Sequence, residues 1–172
     1  MDEHDHGRRA LLDCVGARLE GATRGFYEHR GEVDESCGPL ELAFEGGRVL
    51  HLTTATDGES VRVIDGVWTD PLSDPDEEVD EAWAREHGRW LRLDVSARPG
   101  WAEAVGERLA GIRWLANGHG SVAGAEIRFG PAALTFVSWG DDEWVFAGGA
   151  DAVPAEWGMR MDPSPETSME AR

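Results

Sequence analysis

The chain has 172 residues, enough to bury a full hydrophobic core without a metal or disulfide to hold it. It carries 34 Asp and Glu against 16 basic residues, every one of them Arg, for a formal net charge of −18 and a pI near 4.5. A chain this negative repels phosphate backbones and anionic headgroups, which argues against nucleic acid and membrane surfaces as partners.

Residues 1–8 read as a frayed, acidic start, unlike the basic lead of a signal peptide. No run of ~18 apolar residues follows that could span a bilayer, so the expected location is cytoplasmic. Cys14 and Cys37 are then expected as free thiols. From Arg9 to Ala22 the residues Leu11, Leu12, Val15, Leu19 and Ala22 recur at helical spacing and predict a first helix, closed by Gly21 and Gly25. Thr23 to His29 is a predicted strand. Leu40, Leu42 and Phe44 then alternate with Glu41, Ala43 and Glu45, and Gly46-Gly47 turns the chain into Arg48–Thr53, the pattern of a β-hairpin. Asp57-Gly58 makes a further turn before the predicted strand Val61–Ile64.

Residues 69–81, TDPLSDPDEEVDE, form a Pro- and acid-rich connection into a second predicted helix, with Asp76, Glu77 and Glu78 suited to its first turn. That helix ends near His87-Gly88. Trp90–Val95 reads as a strand and Pro99–Leu109 as a third helix. Beyond Ile112 the predictions are all β: Ile112–Ala116, Gly124–Phe129, Ala133–Val137 and Glu143–Ala147, separated by Asn117-Gly118, Gly130-Pro131 and Gly140-Asp141-Asp142. These elements predict one α+β domain over residues 9–150, a mainly antiparallel sheet with about three helices packed on it. No internal repeat is expected, and residues 151–172 are expected to be an irregular tail. Leu42, Phe44, Leu93, Ile127, Phe136 and Trp144 are the predicted core. Trp68, Trp139 and Trp157 border turns or the chain end and are the candidates for exposure.

Catalytic signatures are weak throughout. Gly118 to Ala123 fits a relaxed dinucleotide fingerprint, but the strand-like Gly124–Phe129 stands where the fingerprint needs a helix. His119, Ser121, Asp141 and Asp142 offer the residue types of a Ser-His-Asp triad, yet His and Ser two apart in one turn do not aim at each other, so all four are read as turn residues. His4 and His6 form no metal motif, and Asp74, Asp76, Glu78 and Asp80 lack the glycine of a calcium loop. No cofactor or metal is expected, and His51 is read as a structural histidine.

The stretch GPLELAFEGGRVLHLTTATDGESVRV (Gly38 to Val63), with the segment from Asn117 to Trp144, resembles small bacterial proteins encoded beside polymorphic toxins as immunity proteins. The likeness covers most of residues 23–147 and rests on hairpin rhythm and turn phrases. The composition resembles that of actinobacterial proteins. The resemblance implies stoichiometric toxin neutralisation and transfers no catalytic residue.

These observations lead to an acidic, non-enzymatic binding protein with a basic protein partner. Its expected contact residues are Asp70, Asp74, Asp76, Glu77, Glu78, Asp80, Glu81 and Glu86, since most of these carboxylates repel one another and contribute nothing evident to folding. A small carboxylate-using hydrolase and a small-ligand module with a Trp-lined cleft are the alternatives.

Overall fold

Alternation of apolar and polar residues, closed by glycine-bearing turns, produces a series of antiparallel hairpins. The computed structural model describes residues 3–70, 81–162 and 167–168. In chain order the elements are α1 (Glu3–Leu12), β1 (Leu19–His29), β2 (Glu32–Asp34), β3 (Leu40–Phe44), β4 (Arg48–Thr54), β5 (Val61–Asp65), α2 (Glu81–His87) and β6 (Arg89–Asp94). There follow β7 (Leu109–Ala116), β8 (Val122–Phe129), β9 (Ala132–Trp139), β10 (Asp142–Ala147), short 3-10 turns at Ala150–Ala152 and Ala155–Trp157, β11 (Arg160–Met161) and β12 (Thr167–Ser168).

The strands make two six-stranded sheets. The first runs β6-β1-β3-β4-β5, with β2 continuing beside the far end of β1; the second runs β11-β7-β8-β9-β10, with β12 also on β7. They pack face to face over one apolar core, in which Leu42, Phe44, Leu50 and Leu52 meet Ile112, Ile127, Phe129 and Phe136. Of the predicted core residues, Leu42, Phe44, Ile127 and Phe136 are buried and Leu93 packs against them, whereas Trp144 lies half-buried on the outer face of the second sheet.

The expected α+β layout is corrected: two sheets replace one, and the described residues contain two α-helices where about three were expected. The predicted helix over 9–22 ends early because Gly16 takes φ 91°, and Leu19 and Ala22, which continue the helical spacing, also fit the inward positions of β1. The predicted helix over 99–109 is broken by Gly100 and Gly106 at φ 82° and 92°, leaving short turns around the buried Trp101 and Ala104. The second predicted helix is seen from Glu81, as α2. None of the helices of the described residues is long and apolar enough to cross a membrane. Cys14 and Cys37 are free, and burial raises both thiols above their ordinary pKa.

Against the expectation of no repeat, the two sheets follow one plan. Four strands form a meander, and a later strand returns to the outer edge of the first. The registers coincide residue by residue. Thr23 faces Glu41, Glu41 faces His51 and His51 faces Ile64; in the second sheet Arg113 faces Glu126, Glu126 faces Thr135 and Thr135 faces Phe146. Both leading strands carry an irregularity at the same place, between Leu19 and Gly21 and between Leu109 and Gly111. The sequence repeats there as well: D-C-V-G-A-R-L-E-G from Asp13 and E-A-V-G-E-R-L-A-G from Glu103.

The repeats clasp each other about a pseudo-two-fold axis. Leu19 N–H donates to Glu107 O and Leu109 N–H to Ala17 O, both at 2.9 Å; Gly16 N–H donates to Leu109 O and Gly106 N–H to Leu19 O, both at 2.8 Å. Arg18 donates from Nη1 to Gly106 O, and Arg108 returns the bond to Gly16 O. At a second point on the axis the equivalent hydroxyls of Thr54 and Ser138 meet at 2.9 Å.

Candidate functional site

Each repeat buries one glutamate on the outward side of its second strand. Glu126 accepts from Arg113 Nε and Nη2 through Oε1, and its Oε2 takes the Ala150 N–H at 2.7 Å. Glu41 is bonded by Arg92 through both carboxylate oxygens and takes the Trp68 N–H at 2.9 Å. In each case the captured amide lies two residues past the glycine that closes the meander, Gly66 or Gly148. The carbonyls of those glycines accept from His51 Nδ1 and Thr135 Oγ1. The pair latches the post-meander segment onto the sheet, so these carboxylates have a structural use and His51 is the satisfied histidine expected of it.

Of the expected contact residues, Asp74, Asp76, Glu77, Glu78 and Asp80 lie outside the described residues; Glu81 opens α2, Asp70 is half-buried and Glu86 is exposed on α2. His119 and Ser121 sit in the loop between β7 and β8, where both backbone N–H groups donate to Asn117 Oδ1. Asp141 takes φ 65° beside Gly140 at φ 64°, the geometry of a two-residue type I′ hairpin, and Asp142 begins β10. Gly118–Ala123 leads into β8 and starts no helix. Among the described residues no group of three or more His, Cys, Asp or Glu is placed to hold a metal.

A polar cluster that the strand pattern did not reveal lies where the sheets meet beside Cys37. Arg24, 4% exposed, donates from Nη2 to Gly38 O at 3.1 Å and lies over the Phe26 ring. Burial lowers its pKa to about 10, against the pull of Cys37 and Glu143. Glu143 accepts from Thr53 Oγ1 and from Thr54 N–H at 2.9 Å, while its backbone carbonyl accepts from Gly38 N–H at 2.7 Å. Desolvation raises the Glu143 carboxyl above its ordinary pKa despite those donors, Arg24 and His51. Carboxylate-pair hydrolysis needs a second carboxyl facing the first. Glu143 is met instead by the Thr53 hydroxyl and the Thr54 amide, and through them it pins one sheet to the other.

The fold holds the Glu143 proton more tightly than the unfolded chain does, so this residue costs stability as pH rises above ~4.5. Glu143→Gln keeps the acceptor for Thr53 and Thr54 and removes the charge. It is expected to raise the unfolding midpoint at pH 8 more than at pH 4; an equal shift at both values in urea melts would contradict the assignment.

The outer face of the second sheet carries an aromatic cluster. Trp157, from the segment that crosses this face, stacks on Trp139 at 5.4 Å and 3° and meets Trp144 and Phe146 edge-on at 5.3 and 5.9 Å. Trp144 Nε1 donates to Trp139 O at 3.2 Å. Trp157 and Phe146 cover Leu115, Val137 and Val153, whereas Trp139 stays 37% exposed. No family model, curated protein or solved structure matches the chain.

Proposed function

We propose that this chain is a non-catalytic binding protein that neutralises a cationic protein by stoichiometric association, the role its resemblance to immunity proteins implies. The observation that carries the reading is how the basic residues are spent. Arg9, Arg48, Arg89, Arg92, Arg98, Arg108 and Arg113 are each paired to a carboxylate of the same chain. Arg24 is buried and Arg18 spends a donor on a backbone carbonyl. With 34 acids against 16 Arg, the surplus negative charge is left to the surface, where it steers a basic partner.

A partner captured from the native host is expected to be basic, and its association rate to fall steeply between low and high salt. Reversing Asp74, Glu78 and Glu81 to Arg is expected to slow association more than it changes dissociation, with the melting temperature nearly unchanged. An acidic partner, or an on-rate indifferent to both salt and the reversal, would sink this reading.

A further inference from the structure

We propose that the exposed ring of Trp139, with the Asp142 carboxylate opposite it, is a docking point for an arginine side chain of a cationic protein segment. The proposal rests on the cationic-partner reading and assigns it a surface. Trp139 and Asp142 are directly cross-strand at the β9–β10 hairpin end, so their side chains share the outer face. Trp157 covers one side of the Trp139 indole and holds it in place, leaving the remainder to solvent. Asp142 is exposed, as is Glu156, the chain neighbour of Trp157, whereas the Asp141 carboxylate turns toward Gly58 of the first repeat. A guanidinium can stack its plane on an indole and give its edge N–H groups to a carboxylate at the same time, which an ammonium cannot do.

The internal repeat separates what the fold needs from what it does not. Aligned by strand register, Trp139, Asp142, Trp144 and Phe146 correspond to Ala55, Ser60, Arg62 and Ile64 of the first repeat. The first repeat closes the same meander with a buried alanine in place of the exposed tryptophan and a serine in place of the aspartate. The first repeat does so over a longer turn, four residues between Ala55 and Ser60 against two between Trp139 and Asp142, so the shared meander plan requires neither residue. Charge complementarity names the occupant, because on a chain of net charge −18 an exposed indole with the Asp142 carboxylate opposite it fits a cation and rejects an anion.

The test uses octa-arginine and octa-lysine peptides, with affinities read by calorimetry at low and moderate salt. The intact protein is expected to prefer octa-arginine, and Trp139→Ala to weaken octa-arginine about three- to fivefold while changing octa-lysine less than twofold. Asp142→Asn is expected to reduce the same preference. Trp83→Ala, which removes the exposed ring of α2, should leave it unchanged. If Trp139→Ala fails to fold, Trp139→Leu keeps an apolar side chain there and should show the same loss. Octa-arginine bound equally well by the Trp139 variant would overturn the docking point and leave the cationic-partner reading standing; no binding of either peptide at low salt would overturn both.

Discussion

Phe136→Ala is expected to lower the stability of the fold by about 3–5 kcal/mol, the cost of removing a fully enclosed aromatic ring and leaving a cavity. Phe136 is 0% exposed on β9, opposite Ala125 on one side and Val145 on the other, and it belongs to the core that both sheets share. Its register equivalent is Leu52, also 0% exposed, so the same place in each repeat is filled by a large apolar group facing the other sheet. Against a typical total of about 5–15 kcal/mol the loss is a large share. Urea melts with unchanged slope measure it, and a loss below about 1 kcal/mol would show that this side chain does not face the core.

Glu126→Ala and Glu41→Ala are expected to destabilise the protein by about 2–4 kcal/mol each, through lost charge-assisted hydrogen bonds and a stranded amide. The Glu126 side chain is 2% exposed and that of Glu41 6%, while Arg113 and Arg92 are 37% and 47% exposed. The arginines can therefore rehydrate when the carboxylate is removed, which keeps the cost below that of stranding a buried ion. The amides of Ala150 and Trp68 lose their acceptor, so the segments after Gly148 and Gly66 should loosen. Glu126→Gln keeps an acceptor and should lose less. Chemical denaturation gives the energies, and protease susceptibility of residues 148–159 reads out the loosening. Losses under 0.5 kcal/mol for both alanine variants would show that the latches contribute nothing.

The strands were legible because alternation survives in most of them. Leu40–Phe44, Arg48–Thr54 and Val61–Asp65 lie where Gly46-Gly47 and Asp57-Gly58 place them. Of the helices, α2 ends at His87 as expected, but those over 9–22 and 99–109 were not legible, for a reason visible at Leu19 and Ala22: a spacing of three satisfies one helical face and also a strand with a bulge between Leu19 and Gly21. The segment after Ala147 has no periodicity because its 3-10 turns lie across a sheet that already supplies the order. The one available signal of the duplicated plan was V-G-x-R-L-x-G at Val15 and again at Val105. It is short because only the residues on the axis are held by both repeats. Trp139 is marked by its place beside a turn; Arg24 and Glu143 carry no such mark, since a charged residue in an alternating strand reads as solvent-facing.

The clasp between the repeats also bears on the order of folding. The hairpins β8–β9 and β9–β10 close over two residues and β4–β5 over six, while Arg18 reaches Gly106 and Arg108 reaches Gly16 across 88 and 92 positions of chain. Closing so long a loop costs more entropy than closing a turn, and its return comes only once both meanders exist. The meanders should therefore form early and the axis last. Native-state hydrogen exchange should then show the amides of Gly16, Leu19, Gly106 and Leu109 opening together, at lower free energy than those at the centres of β4 and β9.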